Sequence, residues 1–304
     1  MFIGAHVKTE SSYLGTAETA YAMGANTFAF FVRSPQGGAI RPLDTSDTAA
    51  CNAYLAEHEF GAIVPHAPYI YNLASDNTRT VQRTITSLKH DFERLSYLSH
   101  MRYNIHPGAH RGQGTAVGID LIQKGINEVL KDCPYAYLLL ETMAGKGTEV
   151  GGTFDELASI LSGIEQSGRV GICFDTCHIF DAGYDIRTNY DKVFTEFDSA
   201  IGLEKLQAIH LNDSRFGFES KKDRHQELGL GCLGLRTIQR ILQDERFSEV
   251  PYILETPEKI FSHKEQIKLA QELSKGKDVT DAAEELRAVL SERVDDADAY
   301  HVIL

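Results

Sequence analysis

Seven short, mostly apolar runs in this 304-residue chain each stop at a side chain that can bind a metal or carry a proton. Residues 2–5 stop at His6, 62–65 at His66 and 103–105 at His106. Residues 135–140 stop at Glu141, 169–174 at Asp175, 206–209 at His210 and 251–254 at Glu255. Two more groups follow closely: His178, three residues after Asp175, and Asp223 with His225 in the polar stretch after His210. One histidine taken alone is ordinarily a hydrogen-bonded core or surface residue, and one carboxylate at a strand end is ordinarily a helix cap. The joint pattern is different, because so many imidazoles and carboxylates in one cavity require cations between them. Imidazole with carboxylate and no thiolate suits zinc or manganese, and a carboxylate can bridge two ions.

A closed barrel of parallel strands would bring these ends together, since all its strands open their carboxyl ends on one mouth. Gly171-Ile172-Cys173-Phe174-Asp175 has strand length, bounded by Arg169 before it and the Asp181-Ala182-Gly183 turn after it. An eighth run, 26–32, is rich in aromatics and supplies the strand after His6. Helices are expected between the runs: after Ser11-Ser12 to Gly24, then over 45–59, 77–100, 118–131, 153–166, 191–201, 235–243 and 259–273. Thr153 and Glu156 carry the spacing of a capping box. Strand and helix alternating eight times predict an α/β chain folded as a (β/α)8 TIM barrel, its polar centre at the C-terminal mouth of the strands. That barrel domain is expected over 1–275. Residues 276–304 form an acidic extension, with a helix over 282–290 and a mobile tail.

Composition narrows the function classes. With 42% hydrophobic and 24% charged residues the chain is globular rather than disordered or fibrous. No run approaches the roughly 18 apolar residues of a membrane span, and no basic leader precedes Phe2, so a cytoplasmic location is expected. The five cysteines (51, 133, 173, 177 and 232) offer no disulfide framework. Cys173 and Cys177 lack a second pair for zinc and read as small buried residues beside the ligands. A formal net charge of -13 argues against simple wrapping of nucleic acid by a basic surface.

Four stretches together carry a family resemblance. They are residues 66–74 (His-Ala-Pro-Tyr-Ile-Tyr-Asn-Leu-Ala), Gly171 through His178, His210-Leu211-Asn212-Asp213-Ser214 continuing to Asp223-Arg224-His225, and Leu254-Glu255-Thr256. Over about its first 275 residues the chain resembles endonuclease IV, the zinc-dependent apurinic/apyrimidinic (AP) endonucleases. The resemblance implies a cluster of three zinc ions per chain. One would be held by His66, His106 and Glu141, a second by Glu141, Asp175, His210 and Glu255, and a third by His178, Asp223 and His225. Glu141, Asp175 and Glu255 would be the carboxylates nearest the chemistry, with His6 supporting the ligands. It also implies hydrolysis of duplex DNA on the 5′ side of an abasic site, leaving a 3′ hydroxyl and a 5′ deoxyribose phosphate, by metal-activated water. The expected partner is therefore duplex DNA containing abasic sites, met by a monomer with no membrane association.

DNA contacts implied by the match are Tyr69 and Ile70, as side chains pushed into the base stack, with Arg33, Gln36, Asn212, Arg215 and Arg224 around them. There are departures: Gln36 stands where many members have arginine, Arg215 where lysine is usual, and Glu219 where a small residue is common. Three divalent ions and the acidic extension would account for most of the net charge. Arg33, Arg102, Arg111, Arg215, Lys221, Lys222 and Arg224 would then be free to make one rim positive. The competing reading is a metal-dependent sugar isomerase or epimerase, which uses the same barrel type with one or two metals. A non-catalytic DNA-damage binder would require missing ligands, and none is missing.

Overall fold

The computed structural model describes residues 1–9, 12–35, 42–294 and 300–304, so Gln36, Gly37 and Gly38 lie outside the described residues. In chain order the strands are β1 (Phe2–Ala5), β2 (Tyr103–Ile105), β3 (Leu138–Glu141), β4 (Val170–Asp175), β5 (Leu206–His210), β6 (Asp213–Ser214), β7 (His225–Gln226) and β8 (Pro251–Leu254). The first five helices are α1 (Tyr13–Ala22), α2 (Thr45–Glu57), α3 (Thr78–Leu95), α4 (Thr115–Asp132) and α5 (Phe154–Ser162). They are followed by α6 (Thr176–Ala182), α7 (Tyr190–Ala200), α8 (Gly234–Leu242), α9 (His263–Ser274) and α10 (Val279–Arg293).

Parallel ladders run in the order β1-β8-β5-β4-β3-β2. Residues 28–32 and 62–66 close the ring between β1 and β2 through isolated bridges. Ala29 N donates to Ala5 O (3.1 Å), His66 N to Phe30 O (2.8 Å) and Asn104 N to Pro65 O (2.8 Å). The result is a (β/α)8 barrel of the TIM type. Two of the eight expected strands are therefore bridge segments rather than regular strands. Pro65 explains part of this, because it accepts from Asn104 but has no N–H to return to a neighbour.

Side chains alternate across a strand, so every second residue points into the barrel. Ala29, Val64, Leu139, Cys173, Ala208 and Ile253 form an inner cluster, wholly buried and separate from the larger core between strands and helices. The residues two positions further on are Phe31, His66, Glu141, Asp175, His210 and Glu255. His106 stands two beyond the buried Asn104, and His6 two beyond Gly4. The apolar cluster is thus the floor on which a ring of ionisable groups stands. Gly4 has no freedom to be larger, since a Cβ there would come within 1.8 Å of Thr27 O. At the opposite end Arg102 donates to Gln207 O, plugging the bottom of the barrel rather than lining its rim.

Helix ends follow their sequence signals with one rearrangement. Thr153 caps α5 by accepting from Glu156 N, but the Glu156 carboxylate turns to Gly151 N (2.7 Å) and Gly152 N (3.0 Å) instead of closing a box. A complete box forms at Ser262 and Glu265, opening α9. α10 buries Ala282, Ala283, Leu286 and Leu290. Residues 300–304, expected to be mobile, are tied down: Ile303 N donates to Gly229 O (3.0 Å) and Leu235 N donates to Ile303 O (2.9 Å).

α10 is also fastened to α9 by Arg293 Nη2 and Glu265 Oε1 at 2.7 Å. The Arg293 guanidinium holds the Glu265 carboxyl down to about 2, from an ordinary 4.5. A depressed carboxyl contributes stability that is complete above its unfolded value and lost as pH falls through the folded one. Amide exchange in α10 is accordingly expected to accelerate between about pH 4.5 and 2 relative to Glu265→Gln, in which that pH dependence is absent.

Candidate metal centre

All nine ligand-type residues expected from the sequence lie together at the mouth. Glu141 is at their centre with no solvent exposure. Its Oε2 is 3.1 Å from His66 Nε2 and 3.3 Å from His106 Nε2, and its Oε1 is 3.3 Å from both His178 Nδ1 and His210 Nδ1. Burial pushes the Glu141 carboxyl up, but the His210 and His106 imidazoles outweigh it and hold the group well below the carboxylate range. Burial likewise pushes His178 down, and Asp175, Asp223 and Glu141 outweigh it and raise the ring well above the histidine range.

Three of the rings are fixed by backbone carbonyls. His66 Nδ1 lies 2.7 Å from Ala67 O, His178 Nδ1 2.9 Å from Thr142 O, and His225 Nδ1 3.2 Å from Glu255 O. A carbonyl only accepts, so each Nδ1 carries the hydrogen, and a ring without a second proton presents an Nε2 lone pair to the cavity. Those lone pairs meet other acceptors. His178 Nε2 lies 3.1 Å from Asp223 Oδ1 and 3.4 Å from His225 Nε2. One proton can join two of these three atoms, whereas a cation satisfies all three. His210 makes the same point: among the described residues both ring nitrogens are buried without a hydrogen-bond partner, with Glu255 Oε2 3.2 Å from Nδ1. Glu141 Oε1 is also an orphan. The donor set fits divalent cations.

The ligand atoms fall into overlapping groups: His66, Glu141, His210 and Glu255; Glu141, Asp175 and His178; and His178, Asp223 and His225. The last is the set expected for the third ion. Asp175 has two jobs, since Oδ1 caps α6 by accepting from His178 N (2.8 Å) while Oδ2 faces His225 Nε2 at 3.5 Å. Asp175, Cys177 and His225 also lie close enough to share an ion, but the Cys177 thiol donates to Arg224 O (3.7 Å) and burial raises its pKa, holding it protonated. Burial pushes the Cys173 thiol up to about 12.

A family profile described as a xylose isomerase-like TIM barrel matches residues 17–288. A probable endonuclease 4 of Methanosphaera stadtmanae is 43% identical over 273 residues, covering 90% of this chain and 99% of that protein. The chain belongs to the endonuclease 4 family. Among solved structures, endonuclease IV from Thermus thermophilus matches with a TM-score of 0.77 at 28% identity, covering 96% of this chain and 100% of that one. A D-psicose 3-epimerase from Clostridium cellulolyticum, with a TM-score of 0.60 at 15% identity over 96% of this chain and 98% of that one, shares the fold alone.

Within this endonuclease 4 family member several residues stand where the sequence suggests another role. Asn212, expected at the DNA, is wholly buried: its Nδ2 donates to Asp175 Oδ2 (2.8 Å) and its Oδ1 accepts from Glu255 N (2.8 Å). Arg33, expected at the DNA, is turned inward, its guanidinium paired with buried Asp91, and the Arg102 guanidinium is engaged by Gln207 O. Tyr69 and Ile70 are 60% and 50% exposed, with the Tyr69 ring leaning edge-on against Phe31. Arg215 and Arg224 are exposed. His6 Nδ1 is 3.0 Å from Glu255 Oε1. His110 Nδ1 accepts from Gly112 N and Gly114 N. His263 is buried, its Nε2 2.8 Å from Thr256 O.

Two supporting residues were not anticipated. Asn104 donates to Glu141 Oε2 at 2.6 Å, and strand alternation two residues before His106 is the signal that locates it. Lys146 Nζ donates to Asp223 Oδ2 at 2.6 Å, from a loop where spacing carries no such signal. Asp223 itself adopts φ +51°, with its N–H donated to buried Asp181. Because Asn212 steers two ligand carboxylates, Asn212→Ala is expected to weaken divalent-metal retention about 10- to 100-fold in chelator competition, with the fold retained.

Proposed function

We propose that this chain is a metal-dependent DNA repair endonuclease that hydrolyses the phosphodiester bond 5′ to an abasic site, leaving a 3′ hydroxyl and a 5′ deoxyribose phosphate. The observation that carries the reading is the convergence of His178 Nε2, His225 Nε2 and Asp223 Oδ1 with no hydrogen to join them all, in a chain of the endonuclease 4 family. The nine residues His66, His106, Glu141, Asp175, His178, His210, Asp223, His225 and Glu255 would hold three zinc ions. Such ions supply Lewis acidity, lowering the pKa of an attacking water and offsetting charge on the phosphate and the leaving 3′ oxygen.

The chain's own residues do the rest. Glu141, Asp175 and Glu255 set the negative charge of the centre, and Asn104, Asn212 and His6 keep those carboxylates aimed inward. A cleft of about 580 Å³ opens above them, walled by Tyr69, Lys146 and Arg224. Tyr69 and Ile70, both exposed, would enter the base stack, a step that costs a few kcal/mol and least where the base is already missing. Arg215, Arg224 and Lys146 offer cations to the backbone, so affinity should fall with salt. No helix among the described residues is long and apolar enough to cross a membrane. The reading carries with it a monomer working in the cytoplasm.

Incubated with a duplex carrying one tetrahydrofuran abasic analogue, the zinc-loaded protein is expected to cut once, on the 5′ side. Prior chelation should abolish the cut and zinc should restore it. Absence of incision by protein of verified metal content would overturn the reading. Turnover of a ketose by the same preparation would favour the epimerase alternative.

A further inference from the structure

Several wholly buried carboxyls lie outside the nine ligand-type residues, among them Asp91, Asp181, Asp213 and Glu227. Asp91, on α3, has no solvent exposure. Its Oδ1 accepts from the Arg33 guanidinium, with Nε at 3.0 Å, and its Oδ2 accepts from the Tyr71 hydroxyl (2.7 Å) and the Tyr103 hydroxyl (2.8 Å). Arg33 Nη2 also reaches Ser87 O, and the guanidinium lies 5.9 Å from the centre of the Tyr71 ring. Removing an ion pair from water is costly, so an apolar cluster of similar volume would stabilise the fold as well or better. What the carboxylate provides is position. It fixes side chains from three separate segments: the stretch ending the bridge segment 28–32, the loop after His66, and β2.

Tyr71 is the residue immediately after Tyr69 and Ile70, and the contrast along this loop is sharp. Tyr69 and Ile70 are exposed, while Tyr71, Asn72, Leu73 and Ala74 are buried. Asn72 Oδ1 accepts from Ala74 N and Ala109 N, both at 3.0 Å, and its Nδ2 donates to Ala109 O at 2.9 Å. The loop therefore has an apolar tip on a rigid base. A tip ordered in advance does not have to be immobilised at the moment it enters a stack, which removes an entropic cost of binding.

We propose that Tyr71 and Asp91 are positioning residues for substrate binding: their hydrogen bond presents Tyr69 and Ile70 to the stacked bases before DNA arrives. This rests on the proposed reading of Tyr69 and Ile70 as the side chains that enter the stack. Tyr71→Phe deletes one hydroxyl and leaves Arg33 and Tyr103 on Asp91. Asp91→Asn is the second variant, should the first melt.

The test compares KM and kcat on two zinc-dependent substrates. One is a fully paired duplex around a tetrahydrofuran site; in the other, mismatched flanking pairs leave the stack already open. Losing a hydrogen bond to a charged group corresponds to roughly a tenfold rise in KM on the paired duplex. On the open substrate KM should be unchanged, and kcat should be unchanged on both. Ile70→Ala should show the same split. An equal rise on both substrates, or an unchanged duplex KM in Tyr71→Phe while Ile70→Ala raises it, would overturn the positioning role and leave the stack-entry reading standing. An unchanged duplex KM in Ile70→Ala would remove both.

Discussion

Everything at the mouth of this barrel depends on one carboxylate, Glu141, which is wholly buried with four imidazoles around it. An isolated ionised carboxyl could not be held there, because moving it from water costs far more than one fold's net stability. It is tolerated because positive charge surrounds it, whether carried by protonated rings or by ions between the rings. The backbone narrows the choice. By engaging Nδ1 of His66, His178 and His225, the carbonyls of Ala67, Thr142 and Glu255 aim each Nε2 at another acceptor. A proton relieves one such contact at a time, whereas a divalent cation relieves several.

The ring of ligands is a consequence of the period of a strand. A wholly apolar floor of Ala29, Val64, Leu139, Cys173, Ala208 and Ile253 packs the interior, and the next inward position on each strand emerges at the mouth. A one-residue slip in any strand would exchange floor and ligand for residues facing the helices. The stability of the core and the geometry of the centre are therefore specified by the same register. The supports continue outward: Asn212 joins Asp175 to Glu255, and Asp181 holds the backbone of Asp223.

Much of this was legible in the sequence because an apolar run ending in His, Asp or Glu is a local signal. The six regular barrel strands fall on the expected runs, and all nine ligand-type residues meet. What was not legible depends on pairs distant in sequence. Arg33 and Asp91 are far apart in the chain, and nothing near Arg33 indicates that its charge is spent inside. Asn212 sits in a stretch that reads as a DNA contact, yet its amide is consumed by two strand ends. The β6–β7 ribbon folds Asp223 and His225 back over the mouth, but two-residue strands have no periodicity to read. The docking of residues 300–304 on Gly229 and Leu235 uses backbone groups, which side-chain identity does not reveal.

Whether these acceptors are held together by metal is tested most directly by elemental analysis of the purified, dialysed protein, with anomalous X-ray scattering to locate the ions. About three zinc ions per chain, positioned among the Glu141, Asp175 and Asp223 carboxylates, is the predicted result. A natively folded and incision-competent protein with no ion at these sites would contradict it.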